Sequence, residues 1–181
     1  MKIVLNIFLT LLATTLAVWL FFIIRKPIIE KQEFKVKKAA IVKRLENVRK
    51  AQFAYKDVKN KFADNWDSLI HAIKYDNFEI IKTIGDPNDS SIVTTYDTIL
   101  IPVMDSVFKE KVCVDSLKFI PYTKDAIFDL QAGSINQRGV DVHVFQVTDS
   151  KPYNQKYIDK GEARVLQLGS MSEVNYSGNW R

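Results

Sequence analysis

The 181-residue chain has one cysteine, two histidines and six glycines, and no two of the glycines are adjacent. A single Cys113 excludes an intramolecular disulfide. Its setting, Val112-Cys113-Val114, reads as a strand with a buried, inert thiol. Two histidines leave little for acid–base or metal chemistry. His71 lies between Ile70 and Ala72 and reads as a surface or boundary residue. Asp141 and His143 share a face if they lie on a strand, but no further ligand accompanies them. Nothing pairs Cys113 with His143 as nucleophile and base. Scattered glycines exclude a phosphate-cradling loop. The chain reads as non-enzymatic, with no catalytic residue, cofactor or resident metal expected.

What the chain does have is a long apolar run. Residues 3–24 are interrupted only by Asn6, Thr10, Thr14 and Thr15, and end at Arg25-Lys26-Pro27. As a helix, this run would rise about 33 Å, against a hydrocarbon core of about 30 Å. A cleaved signal peptide would need small residues at its distal end. Here the run closes on Val-Trp-Leu-Phe-Phe-Ile-Ile, so an uncleaved signal anchor is expected over 1–27. Trp19, Phe21 and Phe22 suit the headgroup boundary. The basic flank after the run favours a cytoplasmic domain by the positive-inside rule, whereas long polar domains translocate largely regardless of charge. A single-pass inner-membrane protein with a periplasmic domain is the expectation, and a cytoplasmic domain is the alternative.

The formal net charge of +5 is unevenly spread. Residues 25–61 hold 13 Lys/Arg against four acids, a net of +9, and residues 62–181 carry a net of −5. A basic face is expected from Lys35, Lys37, Lys38, Lys43, Arg44, Arg49 and Lys50. It is either a solvated helix surface or a contact for anionic lipid. No stacking platform accompanies it, so nucleic acid is not an expected partner.

Residues 28–62 contain no glycine, and Pro27 suits a helix start or a kink. Phe34, Ile41, Leu45, Val48, Gln52, Tyr55 and Phe62 fall on three- and four-residue steps, which places them on one helix face. Ala40, Ala51, Ala54 and Val58 widen that face. It is either a core face or a partner face. An amphipathic stalk helix is therefore expected over 28–62, forming one domain with a globular part over 63–181.

Asp64-Asn65 offers an N-cap for a short helix over 66–75 that buries Trp66, Leu69, Ile70 and Ile73. Residues 85–91 read as a loop. Asp86, Asn88, Asp89 and Ser90 there give either plain turn chemistry or a weak Ca²⁺ site. Beyond it, strands are expected at 92–95, 98–103, 111–114, 117–121, 126–131, 140–147 and 163–168, with Pro102 and Pro121 marking two of them as edge strands or as ending there. The fold class expected is α+β: an N-terminal transmembrane helix continuing into a long amphipathic helix packed on a small antiparallel sheet.

Over residues 1–75 the chain resembles type IV pilins and pseudopilins. The stretch Arg44-Leu45-Glu46-Asn47-Val48-Arg49-Lys50-Ala51-Gln52-Phe53-Ala54-Tyr55 is similar to one many of those proteins carry, and Trp66-Asp67-Ser68-Leu69 stands where they have a short Asp-x-Leu helix. No Gly-Phe processing site precedes the apolar run, no Glu lies near its start, and Pro27 with its basic flank is expected to separate anchor from stalk. The tail over 169–181 resembles those of uncharacterised envelope proteins of Bacteroidota. The resemblance implies a structural or interaction component of a cell-envelope assembly such as a secretion or pilus-like machine. Its contacts would be other membrane or envelope proteins and membrane lipids, in a homo- or hetero-oligomer. The alternative is a membrane-proximal lipid- or ligand-binding module on the cytoplasmic face that uses the basic helix.

Overall fold

A computed structural model describes residues 1–84, 95–108, 112–153, 155–159, 161 and 164–180. The fold is α+β, a long N-terminal helix with two small antiparallel sheets. The chain divides into two compact units, Met1–Ala40 and Ile41–Arg181.

Helix α1 (Lys2–Lys59) runs as one element through Pro27. Continuation of the anchor into the amphipathic helix was expected, with a helix start or a kink at Pro27 between them. The chain stays helical on both sides of Pro27, whose missing amide leaves the Ile23 carbonyl without its usual helical donor. The helix ends at Lys59 rather than at 62, because Asn60 turns to a positive φ of 59°. Phe62 therefore follows the helix instead of riding on it.

In the first unit the apolar part of α1 is long and apolar enough to cross a membrane, and none of it is buried in the protein. Its hydroxyls are satisfied locally. Thr10 Oγ1 donates to the Ile7 carbonyl at 2.9 Å, and Thr14 and Thr15 donate to that of Leu11 at 2.9 and 2.8 Å. The three threonine hydroxyls thus bring no unmet donor into an apolar surrounding.

The second unit is built on the rest of α1. Ile41, Leu45, Val48, Ala51, Ala54 and Tyr55 are buried in one apolar cluster with Leu69, Leu117, Phe128, Phe145, Val147 and Leu168. Helix α2 (Trp66–Tyr75) occupies the expected span. Asn65 Oδ1 accepts from the Ser68 amide at 2.8 Å as its N-cap, and Leu69, Ala72 and Ile73 form its buried face. Trp66 and Ile70 are only half-buried, and the Trp66 indole donates to the Phe128 carbonyl at 2.9 Å.

Strands β1 (Asn77–Ile84) and β2 (Thr95–Pro102) pair antiparallel, Phe78 opposite Ile101 and Ile80 opposite Ile99. The expected strand 92–95 falls mostly outside the described residues, as does the loop 85–91 with its candidate Ca²⁺ ligands. Pro102 ends β2 and precedes a short helix, α3 (Val103–Val107). A second sheet has β3 (Asp129–Gln137), β4 (Val140–Thr148) and β5 (Gln167–Gly169) in the order β3-β4-β5. Helix α4 (Gln155–Ile158) lies between β4 and β5 in sequence.

Two expected strands are not strands. Val114–Lys118 is a 3₁₀ turn, and Phe119 makes only an isolated bridge with Ile127. Ser116 is the cause. Its amide and its hydroxyl both donate to the Cys113 carbonyl, at 3.1 and 2.7 Å, closing a turn that overrides the β-branched residues before it. Cys113 is consequently exposed rather than buried, while Val114 and Leu117 take the core positions.

The tail is tied down by aromatic packing. Phe53, Phe62, Phe145 and Tyr176 pack edge-on or tilted at 4.7–6.4 Å, with Tyr176 stacked on Phe145 at 6.0 Å. The Tyr176 hydroxyl donates to the His143 carbonyl at 2.8 Å. Gly169 has a φ of +74°, and a side chain there would collide with the Phe145 carbonyl.

Candidate partner-binding groove

The expected stripe is core. Ile41, Leu45, Val48, Gln52 and Tyr55 are buried, and Phe62 is buried just past the helix end. The polar member, Gln52, is fully enclosed and bonds both backbone groups of Ala63. Phe34 lies in the first unit and is half-exposed. Those positions therefore offer no partner face on the folded unit.

The basic positions separate into different roles. Lys35 and Lys43 are exposed, and Lys37 and Lys38 partly so. Lys37 faces Glu33 across 3.8 Å. Arg44 is not a free cation. Its Nη1 donates to both the carbonyl and the hydroxyl of Ser116, joining α1 to the 3₁₀ turn, and burial depresses its pKa. Lys56 covers Phe62 at 5.1 Å. Arg49 and Lys50 instead line an open groove.

That groove runs along the solvent side of α1. One part, of about 700 Å³, is lined by Asp57, Val58, Asn77, Phe78, Glu79, Ile80, Ile101 and Ser106. The other, of about 540 Å³, is lined by Arg49, Lys50, Phe53, Ala54 and Val107, and shares Asp57, Phe78 and Ser106 with the first. Phe53 and Phe78 are its aromatic lining, with Arg49 and Lys50 in the second part only, Glu79 in the first only, and Asp57 in both. Its walls are set by short-range bonds. The Lys59 ammonium meets the Asp76 carboxylate at 2.8 Å where α2 passes into β1, and this contact raises the Lys59 pKa. The Val103 amide donates to the Asp76 carbonyl at 3.1 Å, closing the base of the hairpin.

Above this base the β1–β2 hairpin keeps its side chains in solvent. Ile80, Ile81, Ile99 and Leu100 are 48, 64, 43 and 58% exposed. Successive residues point to opposite faces, so Ile80 and Ile81 leave both faces apolar and open. Asp57, Phe78, Glu79 and Ser106 were not marked by sequence reasoning, and no element was assigned to 76–84. Phe78 and Ile80 at alternate positions were the available signal, obscured by the adjacent Ile81.

The residues weighed for chemistry are dispersed. His71 is exposed beside the Tyr75 ring at 4.9 Å. His143 sits opposite Ser134, and Asp141 accepts from the Asn136 amide at 2.8 Å. Among the described residues no three His, Cys, Asp or Glu side chains gather as a metal site. One buried carboxylate stands apart. Asp149 is 2% exposed, accepts from the Lys151 amide at 3.1 Å, and has its pKa raised by burial. It also helps push the Tyr153 pKa up to about 12, burial being the larger cause.

No protein-family model, no curated protein and no solved structure matches this chain.

Proposed function

We propose that this protein is a non-enzymatic, single-pass membrane component of a cell-envelope assembly. Residues 3–24 anchor it in the inner membrane, and its α+β unit binds a protein partner on the periplasmic side. The pilin-like run of one helix from the apolar segment into the core-forming segment supports this reading.

The observation that carries the proposal is the β1–β2 hairpin. A two-stranded ribbon is marginal in water by itself, and this one shows four large aliphatic side chains to solvent. Contiguous apolar surface of this kind marks interaction sites. In the proposed role the partner packs on Ile81 and Leu100, which share the hairpin face opposite to that of Phe78 and Ile80.

The test is co-purification of the full-length chain from its native membranes. Ile81→Lys with Leu100→Lys should remove a stoichiometric protein partner while the chain stays folded and membrane-bound, and Lys74→Gln on α2 should not. Unchanged partner recovery from the double variant would overturn the hairpin as the docking site.

A further inference from the structure

We infer that residues 28–40 of α1 form a binding surface for anionic lipid headgroups. This rests on the reading that residues 3–24 cross a bilayer, and it assigns the segment directly beyond them. Three rows of side chains carry it.

Lys31, Lys35 and Lys38 follow at steps of four and three, so they share one helix face. Lys26, Glu30, Glu33 and Lys37 follow at steps of four, three and four and make a second row, within which Glu33 faces Lys37 at 3.8 Å. Both acids of residues 25–40 lie in that second row. The Lys31 row therefore contains no acid. Between the two rows run Ile28, Ile29 and Val36, which are 52, 43 and 60% exposed. Side chains on a helix slant toward its N-terminus, so the lysine stems of this face reach back toward the bilayer and carry their ammonium groups toward the phosphates.

Continuity fixes the occupant. The helix is unbroken from the apolar run into this segment, and Arg25 lies over the Phe21 ring at 5.6 Å at the join. Along the helix Lys31 lies about 9 Å beyond Arg25, and Lys35 and Lys38 about 15 and 20 Å, so Lys31 stands at about one Debye length, about 8 Å, and the next two reach back toward it through their stems. The segment 25–40 has a net charge of +4. An anionic surface complements that charge, whereas a protein helix docking on the aliphatic strip would leave the Lys31 row unmatched.

The experiment uses the full chain in bilayer nanodiscs of phosphatidylcholine with a minor fraction of phosphatidylglycerol. Trp19 reports on nearby lipid through quenching by brominated acyl chains, placed on one lipid or the other at equal mole fraction. Trp66 and Trp180 add a background that cancels between parent and variant. The expected result is several-fold stronger quenching by brominated phosphatidylglycerol than by brominated phosphatidylcholine. That preference should shrink in high salt and vanish in the Lys31→Gln/Lys35→Gln/Lys38→Gln variant, while the variant retains the parent's quenching by phosphatidylcholine. Equal quenching by the two lipids in the parent overturns the inference and leaves the anchor reading intact. A preference that survives in the triple variant overturns the assignment to the lysine row. Quenching by neither lipid overturns the bilayer-spanning reading and this inference with it.

Discussion

Gln52 and Ala63 hold each other by two bonds. The Gln52 carboxamide donates to the Ala63 carbonyl at 3.0 Å and accepts from the Ala63 amide at 2.9 Å, with Gln52 fully buried. This pair fixes the chain as it leaves α1 and so sets where Phe62 enters the core. Gln52→Leu fills similar volume but strands a buried N–H and a buried C=O. At about 1–3 kcal/mol for each unmet group, denaturant unfolding should show a loss of about 2–6 kcal/mol. A variant as stable as the parent would mean that the loop after α1 is fixed by other contacts.

Leu45 and Val36 lie on the same helix with opposite burial, 0% and 60% exposed. Leu45→Ala should destabilise the folded unit by about 2–5 kcal/mol, and Val48→Asp by at least as much through an unpaired buried charge. Val36→Asp should leave its thermal unfolding unchanged. Equal melting of all three variants would place the stripe outside the core.

Asp149 gives stability an acid-side signature. Burial raises its folded-state pKa, so the folded state holds the proton more tightly than the unfolded chain does. Its contribution is most favourable below the ordinary carboxylate range and is lost as pH rises through the folded pKa. Asp149→Asn keeps an oxygen to accept from the Lys151 amide while removing the charge. The variant should equal or exceed the parent in stability at pH 7, and the difference should shrink toward pH 4. A variant much weaker at pH 7 would show that the charge is matched in the fold.

Cys113 is the sole cysteine and is exposed, so it serves as a native topology reporter. A membrane-impermeant maleimide should label it in intact spheroplasts without lysis, as a periplasmic domain requires. Labelling only after lysis would place the domain in the cytoplasm.

The parts of the fold legible in the sequence were those with redundant local signals. Helix α2 was visible because a cap residue and an amphipathic repeat agree on one span. The buried face of α1 showed as a three-four repeat over about four turns, and β4 as a run of β-branched residues. The turn at Val114–Lys118 was obscured because a single serine, through its amide and hydroxyl, outweighs the strand preference of its neighbours. Strand β1 carries no clean alternation, since Ile80 and Ile81 are both in solvent and neither face is selected by burial. The groove was hidden for a related reason. Its lining comes from α1, β1, β2 and α3, and no spacing along the chain joins Asp57 to Phe78 or Ser106.

Hydrogen exchange at the β1–β2 hairpin tests the central claim most directly. The full-length chain, purified and reconstituted alone, is compared with the chain pulse-labelled in its native membranes. A partner packed on Ile81 and Leu100 should slow exchange of the β1 and β2 amides by at least tenfold in native membranes, leaving β3 and β4 unchanged. Identical exchange of the hairpin in both settings would contradict the account.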